Sequence, residues 1–544
     1  MIAAIDIETN LAHDTIWCVS VVDTATHKLV GSARTPQELW PLICKYDTLV
    51  AHYGMGFDFP VLERVWEISL SAFKLLDTCV MGRLWYPDIP GGHSLAAWGE
   101  RIGEPKMDFE VEDFDGGWTP EMQVYCEQDT VVLSRLYSYL DFQLSNDSFS
   151  QHSIDLEHSV NAITVKQVEN GFLLDDAKTA KLWRDARRKQ QHIDQQLQVK
   201  FPPITTKRIS EKTGKPLKDK VEVFNVGSRQ QIAKRLTTLG AKFTKFTEKG
   251  NVIVDEGALK EMTHISEAAL CLDYLVQGKR ASMLDGWLKA QQDDGRVHGS
   301  VNTCGAATRR MTHNKPNVAQ ADSAHDMRSC WTVPEGKVLL GVDASGLELR
   351  MLAHHINDPA FTAEVVDGDI HTRNMKAAGL TDRDQAKTFI YAYLYGAGDA
   401  KIGSIVGGSA AAGKRLKAQF LAATPGLKEL RDSLKGQQML TCIDGGRVRV
   451  RSEHAALNTL LQADGAVLMK QALLNWVDTA ADGVLGYKLV ANVHDEWQVE
   501  VDAIHADWLG NEMIRGIEDA GKLLCPNVPF TGEMKRGTTW AETH

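Results

Sequence analysis

The chain has 544 residues, of which 43% are hydrophobic and 24% are charged, a composition typical of folded globular proteins with roughly two to four domains. Its 9 cysteines are scattered without a CxxC pair, so neither a disulfide framework nor a zinc site is expected. No stretch reaches the apolar length of a membrane span, and the first residues, MIAAIDIETN, lack the basic start of a signal peptide. We therefore expect a cytosolic protein with free thiols.

The formal net charge of −11 is unevenly distributed along the chain. Residues 1–150 carry a net charge of −14 and the remaining residues a net charge of +3, which indicates a domain boundary near residue 150. A polyanionic partner responds to the local potential and not to the total charge. The acidic balance therefore does not exclude nucleic-acid binding by the larger, C-terminal part.

Three short acidic motifs lie in residues 1–150. The first, AAIDIE, is typical of a β-strand in which Asp6 and Glu8 alternate with apolar residues and point to the same face. The second, HYGMGFDFP, has Asp58 directly before an apolar helical pattern, and the third, YCEQD, places Tyr125 and Asp129 on one helix face. Each motif alone is ordinary for a protein surface, but two acids on one strand face repel each other unless a cation lies between them.

Residues 151–295 are expected to be largely helical, because Ile154–Val168 and Asp175–Leu197 show apolar positions at helical spacing. The segment Lys200–Lys220 contains 7 basic residues, 2 acidic residues and three prolines. This composition is typical of an exposed basic loop or a small hairpin. A solvated linker and a contact with DNA phosphates explain its charge equally well.

Two acidic clusters follow apolar runs in the C-terminal part. A buried strand is predicted at Val338–Val342, with Asp343 where this strand should end. Farther along, LVANVHDEWQVEV predicts two strands joined by a tight turn that carries His494, Asp495 and Glu496. A lone Asp in such a place is usually a turn former or a helix cap. Two such clusters that met could hold two divalent ions about 3.5–4 Å apart, as in phosphoryl or nucleotidyl transfer.

The stretch TDRDQAKTFIYAYLYG predicts a helix with Thr381 as its N-cap and a stop at Gly396. Four residues within it recur at i, i+4 steps and form one stripe on one helix face: Arg383, Lys387, Tyr391 and Tyr395. Two cations followed by two aromatic rings suit a triphosphate with a base stacked beyond it. An amphipathic helix with a charged rim has the same spacing, and the two acidic clusters favour nucleotide binding.

In this order, VDASGLELR, the RxxxKxxxYxxxYG helix and VHDE resemble the three polymerase motifs of DNA polymerase I-type (family A) enzymes, especially the replicative polymerases of short-tailed, T-seven-type bacteriophages. The stretches GDIHTRN, HAALNTLLQADGA and GSVNTCGAATRRMTHNKPNVAQ extend this resemblance. The acidic motifs of the N-terminal part resemble the DEDD-type 3′→5′ exonuclease of the same enzymes, in its Tyr-containing version.

The resemblance implies an α/β and α+β multidomain protein, with an RNase H-like exonuclease domain followed by a right-hand polymerase. The exonuclease would occupy residues 1–150, and a thumb with a short basic loop at 200–220 would occupy residues 151–295. Palm and fingers would occupy residues 296–544, with the fingers at about 360–440.

At the polymerase site, the resemblance implies that Asp343 and Asp495 hold the metal ions, with Glu496 in a supporting role. Glu348 would exclude a ribose 2′-OH. Residues implied to bind the incoming dNTP are Arg383, Lys387, His371, Tyr391 and Tyr395. Lys387 could also protonate the pyrophosphate leaving group, and a Tyr at position 391 implies weak discrimination against nucleotides without a 3′-OH.

Four further residues match positions that contact the primer–template minor groove and the nascent base pair: Arg310, Asn458, Gln462 and His494. The minor groove offers equivalent acceptors on every correct pair, so these residues can test the geometry of a pair without reading its sequence.

At the exonuclease site, the resemblance implies that two ions are held by Asp6, Glu8, Asp58 and Asp129. Tyr125 would orient the water that attacks the terminal phosphodiester. Relatives commonly carry an Asn before the second acidic motif where this chain reads Tyr53-Gly54-Met55-Gly56, which implies a changed contact with the DNA strand and unchanged metal ligands. Mg²⁺, with two ions per site, is the expected cofactor at both sites, and Mn²⁺ is a possible substitute.

The implied substrates are primer–template DNA and dNTPs, and the implied replication partner is a helicase–primase. In the best-known phage relatives, a much longer basic insertion in the thumb docks host thioredoxin. The segment at 200–220 is visibly shorter, which argues against a thioredoxin partnership for this chain.

Two other interpretations compete with a proofreading polymerase. A repair-type nuclease with a vestigial polymerase disagrees with the intact set of Asp343, Asp495, Arg383 and Lys387. A non-catalytic DNA-binding clamp disagrees with the two carboxylate sets, since clustered carboxylates are costly without metal. We therefore expect a template-directed DNA polymerase with 3′→5′ proofreading, active in phage genome replication in the cytosol of a bacterial host.

Overall fold

The computed structural model describes residues 1–107, 115–209, 212–321, 326–368, 370–483 and 486–544. The chain forms two compact units. The larger unit comprises Met1–Gly171, Gly299–Ala321 and Val333–His544, and the smaller unit comprises Phe172–His298 and Asp322–Thr332. In the described part of the chain, no helix is both long and apolar enough to cross a bilayer.

Residues 1–171 of the larger unit form a mixed sheet with helices. The elements are β1 (Ile2–Thr9), β2 (Ile16–Asp23), β3 (Lys28–Ala33), α1 (Pro36–Ile43), β4 (Thr48–Ala51), α2 (Asp58–Trp66), β5 (Lys74–Asp77), α3 (Thr78–Trp85), α4 (Leu95–Ile102), α5 (Pro120–Asn146) and α6 (Gln151–Asn170). The strand order is β3-β2-β1-β4-β5, with β1 antiparallel to β2 and parallel to β4.

The central strand, β1, is covered on both faces. Ala3, Ile5 and Ile7 lie in one buried cluster, whereas Ala4 lies in a second cluster with residues of α5. Because side chains alternate along a strand, Asp6 and Glu8 share the face of Ala4 and point toward α5.

The smaller unit contains β6 (Phe172–Leu174), α7 (Asp176–Lys200), β7 (Ile204–Ile209), β8 (Pro216–Glu222), α8 (Arg229–Thr238), α9 (Glu256–Glu261), α10 (Ser266–Ala290), β9 (Arg296–Val297) and β12 (Trp331–Thr332). The helix predicted at Asp175–Leu197 is confirmed as α7, and the one predicted at Ile154–Val168 is confirmed as α6 of the larger unit. The basic segment at 200–220 forms an exposed antiparallel hairpin of β7 and β8, and residues 210 and 211 lie outside the described part.

The remainder of the larger unit contains β10 (Ser300–Asn302), β11 (Thr312–Asn314), β13 (Lys337–Ala344), α11 (Leu347–Ile356), α12 (Pro359–Val366), α13 (Ile370–Ala378), α14 (Arg383–Leu394), α15 (Asp399–Ile405), α16 (Ala410–Ala423), α17 (Pro425–Leu434), β14 (Met439–Thr441), β15 (Arg447–Arg449), α18 (Ala456–Gly483), β16 (Lys488–Val493), β17 (Glu496–Asp502), α19 (Ala506–Leu524) and β18 (Gly532–Gly537). A four-stranded antiparallel sheet has the order β16-β17-β13-β18. Together these elements confirm the predicted α/β and α+β multidomain class.

The two faces of this antiparallel sheet have different neighbours. Leu340 and Val342 are buried in the cluster that contains apolar residues of α18 and α19. Gly341 faces the other way, and a Cβ atom there would lie 2.3 Å from the carbonyl oxygen of Thr543. Glycine at this position therefore allows the C-terminal residues to pack directly on the sheet.

Two predicted boundaries differ from the structure. Asp343 lies inside β13 and not after it, because β13 continues to pair with β18 through Ala344. The N-cap of α14 is Asp382 and not Thr381, since the Asp382 side chain accepts a hydrogen bond from the backbone N–H of Asp384. Both Thr and Asp are good N-caps, so the sequence pattern alone does not distinguish adjacent candidates.

Candidate active sites

Three carboxylates meet on one rung of the antiparallel sheet. Asp343 on β13 lies directly opposite Glu496 on β17 and Glu533 on β18. Residues directly opposite each other in an antiparallel pair share a face of the sheet. The register of the three strands therefore brings the negative charges together.

The turn between β16 and β17 places Asp495 next to this rung. His494 adopts a left-handed backbone conformation with φ of 60°, and the backbone N–H of Ala344 donates to the carbonyl oxygen of Asp495 across 3.0 Å. Burial, together with the charges of Asp495, Glu496 and Glu533, raises the pKa of Asp343 to about 7. Burial and the charge of Glu348 also raise the pKa of Asp495. Asp343 and Asp495 are 152 positions apart in the sequence, and their charges interact in the folded chain.

Glu496 is the first residue of β17 and is 3% exposed, so it does not lie at the tip of the turn as the sequence predicted. Its Oε1 accepts hydrogen bonds from Trp540 Nε1 and Gln498 Nε2, both at 2.5 Å. Its Oε2 lies 2.5 Å from His544 Nδ1. The C-terminal residues therefore hold Glu496 in place, a role for them that the sequence alone did not indicate.

Glu348, in the first turn of α11, is held from two sides. Arg310 donates from a guanidinium nitrogen to Glu348 Oε1 across 3.2 Å, and the Tyr395 hydroxyl donates to the same oxygen across 2.8 Å. The rings of Tyr391 and Tyr395 stack with their centroids 6.3 Å apart. Burial and the charges of Glu348 and Asp495 raise the pKa of Tyr391.

The helix α14 presents the predicted stripe to the surface. Arg383, Lys387 and Tyr395 are exposed and Tyr391 is half-buried, whereas Phe389 on the opposite side is buried. The stripe leads from two cations at the helix N-terminus to the tyrosines beside Glu348. His371 lies on α13, and its side chain lies outside the described part of the chain.

A shallow pocket adjoins the Glu348 site and is lined by Arg310, Met311, Ala466, Met469, Lys470, Asn492 and His494. On α18, Asn458 and Gln462 precede Ala466 at i, i+4 steps, and all three are half-exposed whereas the other residues of 456–473 are buried. The structure therefore gathers Arg310 and His494 at one pocket and places Asn458 and Gln462 on the helix face that leads to it.

The N-terminal acidic motifs also converge. Ligand atoms of Asp6, Glu8 and Cys126 lie within 4.8 Å of one another. Burial and the charges of Asp58, Glu8 and Asp129 raise the pKa of Asp6 well above its usual value. Burial raises the pKa of Glu8 to about 7 and that of Asp58 to about 8. The four predicted carboxylates thus face one another across β1, α2 and α5.

Lys106 is a residue of this site that sequence reasoning missed. Its Nζ forms an ion pair with Asp129 and donates to the Tyr125 hydroxyl across 2.8 Å. The ammonium group also lies 4.9 Å from the centre of the Tyr125 ring. A lone lysine in a loop has no pattern that marks it, so only the fold reveals its position.

Tyr53, at the departure from the family pattern, does not join the carboxylates. Its side chain is 55% exposed, and its backbone N–H donates to Asp77 Oδ1 across 3.0 Å. Asp77 also accepts from the backbone N–H of Met55 across 3.2 Å. The buried Asp77 therefore fixes the loop before Asp58, while Tyr53 points to the surface.

Both carboxylate clusters fit divalent ions. Carboxylate oxygens are the ligands that Mg²⁺ prefers, and burial together with the charges of neighbouring carboxylates raises the pKa values of Asp6, Asp58 and Asp343. At the N-terminal site, Asp129 Oδ1 is buried without a hydrogen-bond partner among the described residues. A bound cation would satisfy this oxygen.

Comparison with known proteins identifies the protein family to which this sequence is similar. The sequence model of DNA polymerase family A matches residues 203–542. The chain is 31% identical to a DNA-directed DNA polymerase of Enterobacteria phage T3, over 91% of this chain and 92% of that protein, and 31% identical to one of Escherichia phage T7, over the same shares. It is also 28% identical to DNA polymerase I of Aquifex aeolicus, over 58% of each chain.

Among solved structures, the polymerase domain of Pol1 from M. smegmatis, in complex with DNA primer-template and dNTP, has a similar fold. The TM-score is 0.78 at 18% identity, and the match covers 99% of this chain and 96% of that chain. The matched family, the phage relatives and the fold agree with one another. The chain belongs to DNA polymerase family A and is a DNA-directed DNA polymerase.

Proposed function

We propose that this polymerase extends primer 3′ ends by two-metal-ion nucleotidyl transfer at Asp343 and Asp495, and removes misincorporated nucleotides at a separate 3′→5′ exonuclease site. The observation that carries the proposal is the presence of two carboxylate clusters in one chain, each with raised pKa values and each beside a different set of functional groups.

At the polymerase site, Asp343 and Asp495 would hold two Mg²⁺ ions, with Mn²⁺ as a substitute. Bound there, the ions would activate the primer 3′-oxygen and stabilise the leaving pyrophosphate. Glu496, held by Trp540 and His544, supports this cluster from inside the sheet.

The incoming dNTP would lie along α14. Arg383 and Lys387 would bind its phosphates, with His371 as a further phosphate contact, and Lys387 would give a proton to the leaving pyrophosphate. Tyr391 and Tyr395 would accommodate the sugar and base beyond them. The alignment of these residues on one exposed helix face supports this orientation.

Glu348 would exclude ribonucleotides by occupying the space of a 2′-OH. Its fixed position supports this role, because Arg310 and Tyr395 bind the same carboxylate oxygen from two sides. A carboxylate held this firmly can reject a sugar by steric exclusion. Arg310, His494, Asn458 and Gln462 would contact the minor-groove side of the primer–template.

At the exonuclease site, Asp6, Glu8, Asp58 and Asp129 would hold two further ions. Tyr125 would orient the attacking water, and Lys106 fixes the Tyr125 hydroxyl by a direct hydrogen bond. We further propose that the enzyme replicates a phage genome in a bacterial host beside a helicase–primase. The short hairpin of β7 and β8 supports action without thioredoxin.

A primer-extension assay tests the polymerase assignment. Asp343→Asn should abolish addition of dNTPs to a matched primer in Mg²⁺. Glu533→Gln, which removes a carboxylate from the same rung of the sheet, is the matched control and should retain synthesis within about threefold. Normal extension by Asp343→Asn would contradict the assignment.

A further inference from the structure

The residue before Arg310 is unusual in this structure. Arg309 is 1% exposed and adopts a left-handed backbone conformation with φ of 58°. Residues other than Gly, Asn and Asp rarely adopt this conformation, and arginine is seldom fully buried. A residue with both properties needs strong partners.

The Arg309 guanidinium has such partners. Its two terminal nitrogens donate to Asp444 Oδ1 and Oδ2 across 2.9 Å and 2.8 Å, and one of them also donates to Ser153 Oγ across 3.0 Å. A paired, bidentate contact of this kind fixes the plane of the guanidinium as well as its position. Burial alone would raise the pKa of Asp444, but the Arg309 charge lowers it to about 2, so the pair remains ionised.

The Arg309 backbone is held as well. Lys470 Nζ donates to the carbonyl oxygen of Arg309 across 2.9 Å and to both Glu157 oxygens across 2.9 Å and 2.8 Å. Glu157 Oε2 lies 3.7 Å from the Arg309 guanidinium. Two cations and two anions therefore form one buried cluster, and Lys470 binds the carbonyl oxygen of the peptide unit that leads into Arg310.

The turn around this peptide unit is closed in both directions. The backbone N–H of Arg309 donates to Ala306 O across 2.9 Å, and the backbone N–H of Ala306 donates to Arg310 O across 3.1 Å. The space for the guanidinium depends on Gly446, where a Cβ would lie 2.4 Å from Arg309. Neighbouring backbone and side chains thus fix the direction in which Arg310 leaves the turn.

We propose that Arg309 is a positioning residue for Arg310: the buried cluster of Arg309, Asp444, Glu157 and Lys470 aims the Arg310 guanidinium at Glu348 and at the primer terminus. This inference rests on the proposed role of Arg310 at the primer–template. Buried ion pairs contribute little net stability compared with apolar residues of similar size, but they can specify a single arrangement. Arg309 would contact neither DNA nor dNTP and would act only through Arg310.

A double-mutant cycle tests the proposal, with the single-turnover rate of correct dNTP addition as the measurement. The pair change Arg309→Met with Asp444→Asn removes the contact without leaving a buried unpaired charge. We expect it to lower the rate by about 10- to 100-fold, since a misplacement of about 1 Å near the chemistry has effects of this size. In the Arg310→Ala background, the same pair change should lower the rate by less than about twofold.

Each outcome of this cycle supports or overturns the proposed roles of Arg309 and Arg310. Losses that multiply would show that Arg309 acts independently of Arg310 and would overturn the inference. A normal rate for Arg310→Ala alone would instead remove the proposed role of Arg310. The stability control is Leu140→Ala, which creates a cavity in the buried core of residues 1–150. This variant should have a lower melting temperature and an unchanged rate of dNTP addition. A rate loss in this control matching that of the pair change would mean that general destabilisation explains the effect.

Discussion

The Tyr395 hydroxyl donates to Glu348 Oε1 across 2.8 Å, so the C-cap residue of α14 holds the carboxylate that we propose excludes a ribose 2′-OH. Burial and this carboxylate raise the pKa of Tyr395, which keeps its hydroxyl protonated and able to donate. With Glu348 in its proposed role, sugar selection would depend on the conformation of α14, because a movement of this helix would change the support of Glu348.

Tyr395→Phe should weaken the rejection of ribonucleotides. The change removes one hydrogen bond to a charged group, so we expect the preference for dNTP over rNTP to fall by about tenfold. Glu348→Ala should reduce the preference further. The measurement is kcat/KM for a dNTP and the matching rNTP on one primer–template.

Tyr393→Phe is the matched control for this prediction. Its hydroxyl is also hydrogen-bonded, to Arg431 across 3.0 Å, but it lies on the buried side of α14. It should leave sugar selection unchanged. An unchanged dNTP preference in Glu348→Ala would remove the assignment of Glu348.

His544→Ala should slow synthesis without affecting exonuclease activity. The change removes the 2.5 Å hydrogen bond to Glu496 Oε2, beside Asp343. We expect a loss of about tenfold in single-turnover dNTP addition, because Glu496, opposite the proposed metal ligand Asp343, loses its fixed position. Glu542→Ala serves as the control, since Glu542 accepts hydrogen bonds from the backbone N–H groups of Thr538 and Thr539 in the same C-terminal turn. Equal effects of the two changes would mean that only the fold of the C-terminal turn matters.

Lys106→Met should impair exonuclease activity and spare synthesis. The methionine keeps the length of the side chain but removes the charge that faces Asp129 and the donor to Tyr125. We expect single-strand digestion to slow by about 10- to 100-fold, a size typical for the loss of a charged group that orients a catalytic residue. Lys45→Met is the control, because Lys45 also lies over a tyrosine ring, that of Tyr46, but belongs to the turn after α1 and to none of the acidic motifs. Digestion at the wild-type rate by Lys106→Met would show that Lys106 has no part in the reaction.

The raised carboxylate pKa values predict how pH and Mg²⁺ affect stability. Asp58 has a pKa of about 8 in the folded chain, well above that of an unfolded Asp. Such a group favours folding fully below its unfolded pKa, and this contribution is lost as pH rises through the folded value. In EDTA, stability should therefore fall between about pH 4 and 8 on account of this group, and added Mg²⁺ should raise the melting temperature more at about pH 8 than at about pH 6.

Asp58→Asn tests the cause of this pH dependence. The amide does not titrate, so the extra Mg²⁺ stabilisation at high pH should shrink in this variant. Thermal unfolding in EDTA and in Mg²⁺, at both pH values, provides the four melting temperatures required. An Mg²⁺ effect that is larger at low pH would contradict the sign of the argument.

Local sequence patterns were sufficient to predict which side chains share a face within one strand or one helix. Asp6 and Glu8 follow from strand alternation, and the stripe from Arg383 to Tyr395 follows from helical periodicity. The convergence of Asp343 with Asp495 was implied by the resemblance and is now explained by the pairing of β13 with β17.

Contacts between distant segments could not be predicted in the same way. The hydrogen bond from His544 to Glu496 joins the end of the chain to the interior of a sheet, and no periodicity connects the two. The buried pair of Arg309 and Asp444 depends on an unusual backbone angle and on space at Gly446. Such features follow from tertiary packing, which overrides the preference of arginine for the surface.

The most direct test of two separate active sites uses one labelled primer–template and three proteins: the wild type, Asp343→Ala, and Asp6→Ala with Glu8→Ala. In Mg²⁺, extension is measured with dNTPs and shortening is measured without them. We predict that Asp343→Ala loses extension and keeps shortening, and that the double change keeps extension and loses shortening. Loss of both activities in either folded variant would contradict the assignment of synthesis and proofreading to two independent carboxylate clusters.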